Sequence, residues 1–127
     1  MKVWMADLTY TQQTLSSDVF PAAVAGMLDY TNNVLPGIIT ESKVFKFPEN
    51  LVKELESDIP DIIGFSSYVW NCNLGLSFAK AIKKKYPNLP VIMGGPNFPI
   101  NKEKQKEFLV KNSEIDFYVF KEGEGGW

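Results

Sequence analysis

The residues best suited to binding chemistry lie in three short segments, each of which directly follows an apolar run. The segment Ser66-Ser67-Tyr68-Val69-Trp70-Asn71 offers hydroxyls for a ligand's polar edge and two aromatic faces for a flat ring. Gly94-Gly95 lacks two side chains, which permits a close backbone approach. Glu122-Gly123-Glu124 combines flexible backbone with two carboxylates. These features predict a site for a flat organic molecule.

Each segment also has a structural interpretation. The serines could cap a helix and the aromatic side chains could belong to the core, while the glycines could form a plain turn. Asn71 is the better helix cap, however, and we expect it to leave Ser66 and Ser67 free for a ligand. Glu122 to Glu124 could equally be a solvated terminus.

Missing residue types exclude much catalytic chemistry. The chain contains no His, which rules out histidine-based triads, imidazole metal ligands and imidazole acid–base catalysis. Its single Cys72 cannot hold a four-thiolate cluster or form an internal disulfide, and it suits a reducing, cytoplasmic compartment. We therefore predict that this chain contributes neither a catalytic residue nor a metal ligand.

Charge and hydropathy argue against two classes of partner. The net charge is -2, and all 13 basic residues are Lys, so the planar guanidinium that reads guanine and phosphate is absent. We expect no binding to nucleic acid. No apolar run reaches the roughly 18 residues that a membrane-spanning helix needs, and we expect no membrane association.

The elements that must position these residues alternate between strand-like and helix-like segments. Apolar runs predict five strands, over residues 3–6, 38–47, 62–66, 91–93 and 117–120. Helical spacing after Pro21, Pro48, Asn71 and about Glu103 predicts the helices between them. The chain is thus expected to be one α/β domain over residues 1–127. We predict a three-layer, flavodoxin-like fold with a five-stranded parallel sheet of order 2-1-3-4-5.

In such folds the ligand lies outside the carboxyl ends of the strands, which is where the three segments fall. Two other users of the fold fit less well. Thr9-Tyr10-Thr11 is similar to the phosphate loop of flavodoxins, but Gln12 replaces a required Gly. Asp7 and Lys121 suggest a phospho-acceptor receiver domain, yet Ser66-Ser67 replace the acceptor Asp after the third strand.

Taken together, three segments resemble the amino-terminal cobalamin-binding domain of cobalamin-dependent radical S-adenosylmethionine enzymes. They are Ile63 to Asn71, Val91 to Pro96, and Ile115 to Glu124. The resemblance implies a corrinoid across the carboxyl edge of the sheet, with its dimethylbenzimidazole tail in a slot beside the central strands. Ser66 or Ser67 would bond the tail, Gly94 and Gly95 would leave room for it, and residues 68–70 would lie near the corrin ring. The implied cofactor-binding residues are Thr9, Tyr10, Ser66, Ser67, Tyr68, Val69, Trp70, Asn71, Gly94, Gly95, Pro96, Asn97, Glu122, Gly123 and Glu124.

The sequence departs from the family pattern in two ways. Many cobalamin-binding domains carry Asp-x-His-x-x-Gly after the first strand, where this chain has Asp7-x-Thr9-x-x-Gln12. The resemblance therefore implies base-off cobalamin without a His ligand. The Cys-x-x-x-Cys-x-x-Cys motif, which binds a 4Fe-4S cluster and S-adenosylmethionine, is absent. We expect a fragment of a longer chain whose radical domain is its partner, and which binds without catalysing. A flavin mononucleotide electron carrier and a ligand-free docking domain remain alternatives.

Overall fold

A computed structural model describes residues 1–9 and 22–120, which form a parallel sheet flanked by helices. The elements in chain order are β1 (Lys2–Ala6), α1 (Ala22–Val34), β2 (Glu41–Phe45), α2 (Pro48–Ser57), β3 (Ile62–Ser66), α3 (Cys72–Lys85), β4 (Val91–Gly94), α4 (Lys102–Lys111) and β5 (Phe117–Val119). All strand pairs are parallel, and the order is β2-β1-β3-β4-β5. The predicted fold class and strand order are confirmed.

The two faces of the sheet are covered unequally. Alternate strand residues such as Trp4, Ile63 and Met93 point into the larger core, which also contains side chains of α2, α3 and α4. On the opposite face, Val3 and Met5 pack against α1 in a smaller cluster. In the described part of the chain, α1 is therefore the helix that covers this second face, and sheet residues beyond it stay accessible. None of the described helices is long and apolar enough to cross a membrane.

Some sequence-based details were wrong. The second strand begins at Glu41 rather than at Ile38, because Gly37 has φ +85° in a turn and the register pairs Glu41 with Lys2. The apolar spacing of the sequence predicts that Ala81 is buried in α3 and that Val52 lies on the apolar face of α2. The structure buries Ala79 instead of Ala81 and leaves Val52 exposed. Helical periodicity permits several adjacent stripes, and the position of the sheet selects among them.

Candidate functional site

A slot of about 290 Å³ lies between α1 and the sheet, at the carboxyl ends of the central strands. Its floor comes from strand residues that share one face of the sheet: Met5, Gly64, Ile92 and Val119. Val24 and Met27 of α1 form the opposite wall. Its edge is made by Ser66, Tyr68, Gly94, Gly95 and Pro96. The lining is mostly apolar, so the slot suits an apolar group that enters from the carboxyl edge.

The floor of the slot depends on a glycine that the sequence analysis did not single out. A Cβ placed on Gly64 would come within 2.6 Å of the Met5 Sδ atom, so the bare backbone lets Met5 lie across the strand. Gly64 lies inside an apolar run, where a glycine often marks a close approach. That signal was available in the sequence, but the run alone does not show which face a residue occupies.

Behind the edge of the slot, Asp7, Ser66 and Asn71 form a buried polar network. The Ser66 hydroxyl donates to Asp7 Oδ1. Asn71 Nδ2 lies 3.0 Å from Ser66 Oγ, 3.2 Å from Asp7 Oδ1 and 3.1 Å from the Leu8 carbonyl oxygen. Asn71 Oδ1 accepts a hydrogen bond of 2.8 Å from the Tyr68 backbone N–H. The network ties the end of β1 to the loop after β3.

This network corrects two expectations about the loop after β3. Asn71 occupies the N-cap position of α3, but its side chain makes no capping hydrogen bond and instead serves the network. The Ser66 hydroxyl is not free, because its proton is directed to Asp7. It keeps acceptor capacity and still borders the slot.

Ser67 lies away from the slot, in the contact between two loops. It is 0% exposed, and its backbone N–H donates to the Gly94 carbonyl at 2.6 Å. Gly95 has φ +135°, and a Cβ there would lie 2.5 Å from the Ser67 carbonyl oxygen. Glycine is therefore required at position 95 by both its backbone conformation and this close approach.

The far side of the same loop is held by Tyr118 of β5. Its hydroxyl donates to the carbonyl oxygens of Gly95 at 2.9 Å and Asn97 at 3.4 Å. Burial raises the pKa of Tyr118 to about 12, against a smaller opposing effect of a hydrogen bond with Ser67. The phenol is thus a proton donor at neutral pH.

The loop after β3 carries an exposed aromatic pair. The rings of Tyr68 and Trp70 stack in parallel, with centroids 4.5 Å apart and an interplanar angle of 2°. Trp70 remains 64% exposed and Val69 85% exposed, so the pair does not seal the strand ends. One face of each ring is used by the other, which leaves Trp70 available to a ligand lying over the edge.

The remaining predicted site residues divide into two groups. Thr9 is half-buried beside β2, where its N–H donates to the Lys46 carbonyl, and Asn97 donates its N–H to the Ser67 carbonyl; neither lines the slot. Tyr10, Glu122, Gly123 and Glu124 lie outside the described residues. Among residues 1–9 and 22–120, no cluster of three or more His, Cys, Asp or Glu side chains is arranged to hold a metal ion.

Comparison with known protein families matches residues 22–126 to the B12 binding domain. A cobalamin-dependent radical SAM methyltransferase, TokK of Streptomyces tokunonensis, is 36% identical over 75 residues. A 2-(S-pantetheinyl)-carbapenam-3-carboxylate methyltransferase of Streptantibioticus cattleyicolor is 32% identical over 75 residues. Each match covers 58% of this chain and 11% of the relative, so the chain spans a small part of these enzymes.

Solved structures with the same fold include two receiver domains. One, from a Bacteroides fragilis response regulator, has a TM-score of 0.58 and 17% identity, and the match covers 94% of this chain and 83% of that one. Another, from an HD domain-containing protein of Pseudomonas fluorescens Pf-5, has a TM-score of 0.56 and 13% identity, with 94% and 81% covered. At these identities the likeness shows the fold alone, and Ser66-Ser67 stand at the end of β3 in this chain.

Proposed function

This chain belongs to the B12 binding domain family, and from that premise we propose that it is the cobalamin-holding module of a radical S-adenosylmethionine enzyme. The observation that carries the proposal is the apolar slot that opens at the carboxyl edge, between the loops that follow β3 and β4. Open parallel sheets bind their ligands at this edge. The nucleotide tail would enter the slot, and the corrin ring would lie over the edge.

The chemistry of the slot fits the tail better than the whole cofactor. Its volume of about 290 Å³ is at the small end of ligand sites, which suits one arm of a large molecule. The apolar side chains of Met5, Ile92 and Val24 would pack against an aromatic base. The missing side chain at Gly64 keeps the floor of the slot low.

Within this site, Ser66 rather than Ser67 would contact the tail. Ser66 borders the slot, whereas Ser67 is fully buried in the contact with Gly95. Because the Ser66 hydroxyl donates to Asp7, the network would fix its orientation and leave its oxygen able to accept a hydrogen bond from the tail. Val69 and Trp70, the exposed residues of that loop, would cover part of the corrin.

The chain would hold cobalamin without giving cobalt a side-chain nitrogen. No His exists in the sequence, and the tail base is assigned to the slot, so we infer a base-off, His-off form. Bound cobalamin would supply a cobalt centre able to carry a methyl group. In the longer enzyme, a radical domain with a 4Fe-4S cluster and S-adenosylmethionine would be the partner, and the residues described here would position and shield the cofactor.

Binding is tested by titrating the 127-residue chain with hydroxocobalamin while recording absorbance, followed by gel filtration. We expect shifted corrin bands and co-elution of cobalamin with the protein. Unchanged bands with no retention would refute the proposal, and a flavin spectrum in the purified protein would favour the electron-carrier alternative.

The tail assignment is tested with cobinamide, a corrinoid that lacks the nucleotide and its base. We expect weaker binding of cobinamide than of cobalamin, and Ser66→Ala should weaken only cobalamin binding. Ser77→Ala is the matched control, since this serine is exposed on α3, with its hydroxyl bonded to the Asn73 carbonyl. Equal affinity of the wild-type chain for both corrinoids would refute the slot as the tail site.

The base-off state has its own spectroscopic test. Reduced to cob(II)alamin on the protein, cobalt should show no nitrogen superhyperfine splitting in its electron paramagnetic resonance spectrum. Free cob(II)alamin at neutral pH, with its own base coordinated, serves as the positive control. A splitting from an axial nitrogen in the complex would contradict the inferred form.

A further inference from the structure

We propose that Tyr118 is a positioning residue, whose hydroxyl fixes the loop after β4 and thereby sets the width of the slot. The proposal rests on the proposed function, because it is the nucleotide tail that would occupy this slot. Tyr118 itself is not among the slot-lining residues. It would act through the backbone of Gly95.

The first argument is the direction of the hydrogen bonds. The Tyr118 side chain packs against the larger core, on the sheet face opposite the slot, yet its hydroxyl reaches the carboxyl edge. There it donates to the Gly95 carbonyl at 2.9 Å and approaches the Asn97 carbonyl at 3.4 Å. Gly95 and Pro96 border the slot, so a bond that holds this backbone also holds the slot wall.

The second argument is that the loop is held from both sides. On the β3 side, the Asn97 N–H donates to the Ser67 carbonyl at 3.1 Å, and Gly95 presses against the Ser67 backbone. On the β5 side, the Tyr118 hydroxyl donates hydrogen bonds to the carbonyl oxygens of Gly95 and Asn97. Without it, the described contacts would restrain the wall from β3 but leave the Gly95 carbonyl without this donor.

The third argument is that ring and hydroxyl have separable roles. The Tyr118 ring stacks on Phe98 with centroids 3.7 Å apart at 9°, and Phe108 meets both rings edge-on at 87°. This aromatic cluster anchors the end of the loop through packing. Tyr118→Phe therefore keeps the cluster and removes the hydrogen bonds of the hydroxyl, to the loop carbonyls and to Ser67. Since the pKa of Tyr118 is raised to about 12, the hydroxyl remains a donor across the pH range of a binding assay.

The test compares cobalamin and cobinamide binding to the 127-residue wild-type chain and to Tyr118→Phe. We expect Tyr118→Phe to weaken cobalamin binding by about fivefold, as for the loss of one buried hydrogen bond, while cobinamide affinity stays unchanged. Tyr86→Phe is the matched control, because it removes a phenol hydroxyl after α3, at the opposite edge of the sheet. It should change neither affinity.

The outcomes separate this inference from the proposed function. If the wild-type chain binds neither corrinoid, the proposed function fails. If the wild-type chain prefers cobalamin and Tyr118→Phe keeps that preference in full, this inference alone is overturned. Equal weakening for both corrinoids would also overturn it, because that pattern indicates general loss of structure. Phe98→Leu provides a second variant: it loosens the stack but keeps the hydroxyl, and its cobalamin-to-cobinamide ratio should change less than that of Tyr118→Phe.

Discussion

Replacement of Gly95 by Ala should destabilise the fold far more than an ordinary glycine substitution. The Cβ would lie 2.5 Å from the Ser67 carbonyl oxygen and 3.0 Å from the Ser67 nitrogen, and φ is +135°. The obstructing atoms are backbone, so no side-chain rotation relieves the contact. The loop after β4 would have to move away from β3.

The magnitude follows from what that movement breaks. The backbone conformation costs a residue with a side chain about 1–3 kcal/mol. Separation of the loops also loses the bonds from Ser67 N–H to the Gly94 carbonyl and from Asn97 N–H to the Ser67 carbonyl, each worth about 1 kcal/mol. We therefore expect Gly95→Ala to lower the free energy of unfolding by about 3–5 kcal/mol.

Two other glycines separate the contributions to this loss. Gly37 has φ +85°, but a Cβ placed on it would have no atom within 4 Å. Gly37→Ala should therefore lower the free energy of unfolding only through the unfavourable backbone conformation, by about 1 kcal/mol. Gly26 lies in α1 with open space around it, so Gly26→Ala should stabilise the protein by roughly 0.5–1 kcal/mol. Urea denaturation of the three variants measures the series. If Gly95→Ala were no more destabilising than Gly37→Ala, the inferred close approach of the two loops would be wrong.

Three further predictions test other parts of the molecule. Asn71→Ala should lower the free energy of unfolding by about 3 kcal/mol, since it leaves the Leu8 carbonyl and the Tyr68 N–H without partners; a urea midpoint equal to that of wild type would contradict the network. Trp70→Ala should change the free energy of unfolding by less than about 1 kcal/mol, because the ring is exposed. It should nevertheless raise the dissociation constant for cobalamin, and an unchanged dissociation constant would remove Trp70 from the site. The hydrogen bond from Lys2 holds the pKa of Asp58 below its usual value. The contribution of this ion pair to stability is therefore present above about pH 4 and is lost as the pH falls through the lowered pKa. The melting temperature of Asp58→Asn should accordingly be lower than that of wild type at pH 7, and the two should converge in acid. A difference in melting temperature that does not vary with pH would refute the role given to the Lys2–Asp58 pair.

The fold could be predicted well because its signals are local. Compact apolar runs bounded by Pro and Gly mark the strands, and right-handed crossovers leave few possible strand orders. The errors arose where a local pattern has several tertiary solutions. Ile38 is as apolar as a strand residue, but it lies in a turn because β1 pairs with β2 from Glu41 onward. Ala81 and Ala79 fit helical spacing equally well until the sheet is in place.

The loops at the edge of the candidate site could be named from the sequence, but the floor of the slot and the hydrogen bonds behind it could not. The loops after β3 and β4 could be named because parallel strands end together. The role of Asn71 could not, since two of its partners, Asp7 and Leu8, are more than sixty positions away in the sequence. The Asn71 side chain has the residue type of a helix cap, but it forms hydrogen bonds with these distant groups instead. No local sequence pattern indicates such partners.

The unequal covering of the sheet explains how one small domain can hold both a stable core and a slot. Neighbouring residues of β3 serve opposite faces: Phe65 fills the larger core, whereas Gly64 leaves space in the slot floor. Side chains that line a slot make fewer van der Waals contacts than side chains in a filled core. The larger core, between the sheet and α2, α3 and α4, can compensate for the stability lost in this way. The same division predicts separable effects of mutation along a single strand. Loss of Phe65 should act on folding. An added methyl at Gly64 has its closest contacts with the flexible end of Met5, so it should act mainly on ligand affinity.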